Sequence, residues 1–386
     1  MRVIDVTQVM AGPFCTMLLA DLGADVIKIE PPAGDMTRRM PGGVGNDTPA
    51  YNAVNRGKRS VVLDVKTAAG RAAVLQLVES ADIFAENSRP GVMADLGLGY
   101  PVVAARNPRV IYASISGYGQ TGPDRTKGGL DLIAQGVSGI MSVTGAVDGP
   151  PMKSGVPLTD LGAALFAVTG ILAALIHRNR TGQGQHVETS LVEAGVALSV
   201  WEATEYFSGA GIPQPLGSAH RMVAPYQAIE CADGYVTIGA SNNRLFERLC
   251  EALGHPEWAS LPEFADNPSR VRNREALAER IESVTRHRPK RHWLEALEAR
   301  DIPCGPINNY ADVFADAQIV AREMVVDVEH PTLGALRALG SPIKLSATPA
   351  TVRRRAPRLG EHTEEVLREA GFDEKAIADV CSARAR

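Results

Sequence analysis

The sequence predicts a doubly wound α/β domain with a parallel sheet, accompanied by a smaller α+β domain. Short β-branched runs alternate with helical segments of roughly 10–15 residues through about the first third of the chain. Asp233-Gly234, set between two alternating runs, marks a separate hairpin far downstream. The length, 386 residues, exceeds the roughly 150 typical of one domain.

Taken in order, Val3 to Val6 alternates as a strand. Pro13 to Leu22 reads as a helix closed by Gly23, and Ala24 to Ile29 as a second strand stopped by Pro31-Pro32. Ser60 to Asp64 is a third strand, and a helix follows from about Thr67 to Ser80. Asp82 to Glu86 and Val110 to Ile115 complete the series. Strands this short and apolar are buried on both faces, which is a Rossmann-like arrangement. Three long helical segments come next: Leu161 to Arg178, Val187 to Ser208 and Glu275 to Arg300. The first is apolar nearly all round, so deep burial is expected. Tyr226 to Glu230 and Tyr235 to Gly239 form the hairpin of the small domain. Cys304 to Pro306 and Pro342 to Pro357 read as loop and linker, and Glu361 to Ala370 as a short helix. The expected large domain is residues 1–200 with 310–386 and the small one 225–300, with linkers 201–224 and 301–309.

With 40 basic and 44 acidic residues, the formal charge is −4, which disfavours nucleic acid as a partner. A 45% hydrophobic, 22% charged composition belongs to a folded globular chain. Cys15, Cys231, Cys250, Cys304 and Cys381 are scattered without a C-x-x-C pair, so neither a disulfide framework nor a metal site is expected. No apolar segment precedes the first strand, and the Leu161 to Ile176 stretch falls short of the ~18 residues of a membrane span. A soluble, cytoplasmic protein with no membrane partner is expected.

Gly117-Tyr118-Gly119-Gln120-Thr121-Gly122 matches G-x-G-x-x-G, but the loop Pro123 to Gly129 follows where a dinucleotide site needs a helix. NAD is therefore rejected, and no permanently bound cofactor is expected. His186 reads as a surface or helix-start residue. Cys15 reads as a small buried hydrophobe, although a helix N-terminus nearby could activate it. Asp160 stands apart. It brings a carboxylate to the first turn of an apolar helix, either as a cap or as a buried charge with a chemical task.

The chain resembles the class III (CaiB/BaiF-type) CoA-transferases, which include formyl-CoA transferase and, more distantly, the α-methylacyl-CoA racemases. The motifs that carry the resemblance are Val9 to Thr16, Gly23 to Glu30, Gly34 to Arg38, Asn55 to Ser60, Leu63 to Lys66, Glu86 to Gly91, Ser116 to Pro123, Gly155 to Gly162 and Leu359 to Thr363. It implies CoA transfer from an acyl-CoA to a carboxylic acid, through an anhydride and then a CoA thioester on Asp160. An aspartate in its ordinary range is about a thousandfold ionised at pH 7 and needs no base. Coenzyme A is then a substrate, and Met10, Ala11, Arg38, Leu63, Lys66 and Asn87 stand at positions the resemblance associates with it. Arg38 and Lys66 could equally be surface charges, and Asn87 a turn residue. Leu130, Asp131, Gly239 and Ala240 are expected at the acyl pocket, where Asp131 either orients substrate or starts a helix. The racemases carry a histidine where this chain has Leu130, which cannot exchange a proton. Racemase chemistry and a catalytically inactive CoA-binding paralogue are the alternatives. The resemblance also implies an interlocked, ring-like homodimer.

Overall fold

A computed structural model describes residues 1–44, 47–331 and 334–382, with side chains through residue 379. The chain divides into two compact units. The first comprises Met1–Met141, Lys153–Ala210 and Ala317–Arg386; the second comprises Ser142–Met152 and Gly211–Asp316.

The first unit is built on six parallel strands: β1 (Arg2–Asp5), β2 (Asp25–Glu30), β3 (Lys58–Val62), β4 (Ile83–Glu86), β5 (Ile111–Ser116) and β6 (His186–Ser190). They lie in the order β3-β2-β1-β4-β5-β6, with Val3 opposite both Val26 and Ile83. The helices between them are α1 (Ala11–Asp21), α2 (Pro49–Asn55), α3 (Ala68–Glu79), α4 (Val92–Asp95), α5 (Tyr100–Arg106), α6 (Asp131–Val137) and α7 (Leu158–Thr181). After β6 come α8 (Leu191–Leu198) and α9 (Val200–Phe207). Because strand side chains alternate, Val3, Val26, Ile83 and Ala113 pack with α1 and α7 in one core. Their neighbours Ile4, Ile27, Phe84 and Tyr112 pack with α3 and α5 in the other.

The second unit has an antiparallel sheet of β7 (Tyr226–Cys231), β8 (Gly234–Gly239) and β9 (Cys304–Pro306). Around it stand α10 (Asn243–Ala252), α11 (Asn267–Arg272), α12 (Arg274–Thr285), α13 (Lys290–Glu298) and α14 (Tyr310–Ala315). Its core joins Ile229, Val236 and Ile238 to Phe246, Leu277 and Trp293. The chain then returns to the first unit through α15 (Ala317–Ala321), the hairpin β10 (Val325–His330) and β11 (Gly334–Leu339), α16 (Thr363–Glu369) and α17 (Glu374–Ser382).

Six expectations change. Val187 to Ser208 is not one helix: its start is the edge strand β6, paired with β5, and Ser190 caps α8 by accepting the Glu193 amide. Glu275 to Arg300 is two helices, because Pro289 occupies the N-cap of α13. Cys304 to Pro306 is a strand, paired with β8. The β10–β11 hairpin lay in a region read without elements. The boundaries also differ, since residues 142–152 fall in the second unit and 201–210 in the first. Finally, α7 covers the sheet with one side only, and Leu165, Phe166, Leu172 and Ile176 are exposed on the other. By length and composition alone this helix could cross a membrane, and less than half of its apolar stretch is buried. It packs against α1, α8, β5 and β6. Cys15, Cys231 and Cys250 are buried free thiols and Cys304 is half-buried; the side chain of Cys381 lies outside the described residues.

Candidate active site

Strand order reverses between β1 and β4, so the loops leaving these two strands diverge and open a crevice at their carboxyl ends. A cavity of about 460 Å³ lies there. Gln8 to Ala11 line it after β1, Asn87 to Pro90 after β4, Lys127 to Leu130 before α6, and Asp160 on α7.

The first of these loops is pinned at successive residues. Thr7 bonds to the Asp5 carboxylate through its amide (2.9 Å). The Asn87 side chain accepts from the Gln8 amide (2.8 Å) and donates to the Gln8 carbonyl (2.7 Å). Val9 has φ of 71°, a left-handed conformation that a β-branched residue rarely holds. Its amide faces both Asp35 carboxylate oxygens at 3.4 Å. Two glycines let the opposite wall close up: a Cβ on Gly117 would stand 2.5 Å from the Gly129 Cα. That close approach, with Gly119 at φ 93° and Gly122 at φ 85°, accounts for the glycine motif without any dinucleotide.

Asp160 is the third residue of α7, whose N-cap, Pro157, offers no side-chain bond. The Asp160 carboxylate accepts no hydrogen bond among the described residues, so it is not the helix cap. Asp131 caps instead. From the first turn of α6 it accepts the Thr159 amide (3.0 Å) and hydroxyl (2.8 Å). Its other oxygen accepts from Gln135 (2.7 Å), whose carbonyl accepts the Ser154 amide (2.8 Å). Gln135 is fully buried, and this relay fixes the loop leading into α7. Its signal in the sequence was the i, i+4 spacing from Asp131.

Burial, and secondarily the Asp131 charge, push the Asp160 carboxyl up to about 6. It is therefore about tenfold ionised at pH 7, not a thousandfold, and the helix N-terminus does not hold it in the ordinary range. Cys15 is settled the other way: it is fully buried, and burial followed by the Asp5 charge raises its thiol to about 12. His186 is exposed, but it starts a strand rather than a helix, stacking on Tyr100 and hydrogen-bonding Ser114 (2.9 Å).

Met10, Ala11, Asn87, Leu130 and Asp160 thus meet at one cavity, with Asp131 one residue behind its wall. Within the same unit, Arg38, Leu63 and Lys66 do not line it. Arg38 is 1% exposed, sandwiched on Tyr51 and bonded to both Glu30 oxygens (2.7 and 2.8 Å). Its charge is matched by Glu30 inside the protein, away from the cavity where the resemblance led it to be expected. Leu63 is core, and Lys66 is exposed away from the cavity. Gly239 ends β8 in the second unit, and Ala240 is buried in that unit's core. Two cations that the sequence reading left without a role do line the cavity, Arg89 and Lys127. Lys127 pairs with Asp124 (2.8 Å). Both lie in stretches already singled out, Arg89 two residues after Asn87 in the loop that leaves β4 and Lys127 in the loop that follows the glycine motif.

The model of "CoA-transferase family III" matches residues 1–363. The chain belongs to this family. The succinyl-CoA:glutarate CoA-transferase of Homo sapiens is 38% identical over 99% of this chain and 88% of its own length. The succinyl-CoA:mesaconate CoA-transferase of Haloarcula hispanica is 43% identical over 96% of each chain. The crystal structure of a CaiB/BaiF family protein from Brucella suis superposes with a TM-score of 0.85 at 39% identity, covering 96% of this chain and 98% of that one. The CoA-transferase thus carries its half-buried aspartate at the switch point of the sheet, where α/β enzymes bind their ligands.

Proposed function

We propose that this enzyme moves CoA from an acyl-CoA to a carboxylic acid with Asp160 as the nucleophile. The observation that carries the reading is a carboxylate in the cavity with no hydrogen-bond partner among the described residues, raised in pKa yet ionised at neutral pH. Such a group is a stronger nucleophile than an ordinary aspartate and remains available without a base.

An Asp160 oxygen attacks the thioester carbonyl, the C–S bond breaks, and CoA leaves as thiolate with an acyl-aspartyl anhydride behind it. The thiolate attacks the Asp160 carbonyl and expels the donor acid, leaving an aspartyl-CoA thioester. The acceptor carboxylate reverses both steps and departs as its own CoA thioester. No net proton moves. The relatives' names point to succinyl-CoA as donor and a dicarboxylic acid as acceptor, and the apolar Met10 and Leu130 suit a carbon chain longer than that of oxalate.

Racemase chemistry finds less support, because Leu130 contributes no exchangeable proton at the cavity. The open apolar side of α7, together with exposed Trp201 and Phe207 on α9, supports the interlocked homodimer. A folded monomer in sedimentation at nanomolar concentration would reject that assembly. The test of the reaction is Asp160→Asn, which should lower CoA transfer by on the order of 10⁴-fold or more with acyl-CoA binding retained. Transfer persisting in that variant, or α-proton exchange with deuterated water, counts against it.

A further inference from the structure

We infer that Gln135 is a positioning residue for CoA transfer: it splints the loop before α7 to the Asp131 carboxylate and so fixes the backbone that aims Asp160 into the cavity. This rests on the transferase reading above. Gln135 lies one turn after Asp131 on α6 and is fully buried, where a polar side chain without partners is costly. Both ends of its amide are used. Nε2 donates to one Asp131 oxygen (2.7 Å), and Oε1 accepts the Ser154 amide (2.8 Å). The other Asp131 oxygen accepts the amide and hydroxyl of Thr159, the residue before Asp160.

The partners dictate the chemistry of the splint. A backbone N–H only donates and a carboxylate only accepts, so the group between them must accept at one end and donate at the other. An amide does both at neutral pH, and an ionised carboxylate of the same size does not. The start of α7 has little other support. Pro157, at its N-cap, offers no side-chain bond. A Cβ on Gly155 would meet nothing within 4 Å, so the loop stands open there. Without Gln135 the Ser154 amide and one Asp131 oxygen lose their partners, and the turn that carries Asp160 is free to shift. A displacement of about 1 Å at a reacting group costs on the order of 100-fold in rate.

The helices packed against α6 are α7 and α8. From α7 the charged group at this end is Asp160, and its other ionisable residues, His177, Arg178 and Arg180, lie at the far end. The one ionisable residue of α8 is Glu193, which accepts from Ser190 (2.6 Å). Lys153, beside Ser154, is exposed and donates to the Ser154 carbonyl (3.1 Å). Among the described residues none of these bonds to Gln135, so its amide serves Asp131 and Ser154.

The experiment assays full-length wild type, Gln135→Leu and Gln135→Glu with succinyl-CoA and glutarate from about pH 5.5 to about pH 9, with circular dichroism following the fold at each pH. In Gln135→Leu, kcat should fall on the order of 100-fold with KM for succinyl-CoA and the fold unchanged. Gln135→Glu is a conditional rescue. With its proton the introduced carboxyl donates to Asp131 and accepts from Ser154 as the amide does; without it, two carboxylates face each other. Burial beside Asp131 keeps that proton on above the ordinary carboxylate range. The ratio of variant to wild-type kcat, which removes the ionisation of Asp160 itself, should therefore be highest at the acid end and fall about tenfold or more as pH rises. Should Gln135→Leu fail to fold, this ratio still decides. A flat ratio overturns the inference, and so does a loss in Gln135→Glu that follows the circular dichroism, which would leave Gln135 a structural role alone. A folded Gln135→Leu with kcat within about threefold of wild type, or with its loss confined to KM, overturns it too. Wild-type enzyme that moves CoA between no pair of acids overturns the transferase reading itself, whatever the variants do.

Discussion

Asp5 at the end of β1 and Asp160 on α7 are two aspartates of the same unit, both removed from water, and burial alone would raise the carboxyl of each. Asp5 is fully buried, yet Lys58 (3.0 Å) and then Lys28, with hydrogen bonds from Thr7 and Thr16, hold it down at about 2. Asp160 has no such partners and rises to about 6, with Asp131 adding to the effect of burial. Asp5 belongs to a set in which Lys28 pairs with Asp35 (2.9 Å) and Arg38 with Glu30 (2.7 Å), so that carboxylates and cations cancel. That set underlies the loops that frame the cavity. The difference teaches that burial does not decide what a carboxylate does here; its partners do. Where each charge is matched the structure is a rigid floor, and where one is left unmatched it is a reagent.

The comparison breaks most visibly if one floor cation is removed. Lys58→Met leaves Asp5 charged and buried without its main partner, so thermal or urea unfolding should show a loss of about 3–5 kcal/mol. If the loss is under 1 kcal/mol, the floor is not what holds Asp5 down. The reagent should behave in reverse. Asp160→Asn removes a destabilised charge, so at pH 7 that inactive variant should be more stable than wild type by about 1–2 kcal/mol, discounted for partial exposure.

The pH dependences also oppose one another. Asp5, with its folded pKa below the unfolded value, contributes stability above about pH 4 that is lost as pH falls toward about 2. Asp160, with its folded pKa above the unfolded value, makes the fold less stable as pH rises from about 4 to about 6. Urea titrations of wild type and Asp160→Asn should therefore converge below pH 4 and diverge above it. The smallest effect belongs to Asp131→Asn. It keeps an acceptor for Thr159 but deletes the nearby charge, so the acid limb of kcat/KM should move to lower pH. Burial remains, so that limb should still lie above the ordinary carboxylate range. Asp131→Ala, which also removes the cap of α7, should cost about 1 kcal/mol in addition.

Much of the site was legible because it depends on local pattern. A carboxylate opening an apolar helix singled out Asp160, and the family resemblance, carried by local motifs, pointed to Met10, Ala11 and Asn87. What escaped was pairing across the fold. Nothing near Arg38 announces that Glu30, on β2, takes its charge, because Tyr51 and Ser60 complete that nest from distant positions. Likewise a helix start at Asp160 hides that its cap comes from Asp131. The edge strand β6 was misread for a related reason. Its polar residues alternate in a short stretch that runs directly into α8, so helical periodicity dominated the longer window.

The most direct test of the account is to trap the intermediate. Wild-type enzyme incubated with succinyl-CoA and no acceptor, then digested and examined by mass spectrometry, should carry a CoA or succinyl adduct on the peptide containing Asp160. Hydroxylamine should remove it, and Asp160→Asn should lack it. An enzyme that transfers CoA between acids while that peptide stays unmodified through single-turnover sampling would contradict the account, because the unmatched carboxylate would then have no covalent part in the reaction.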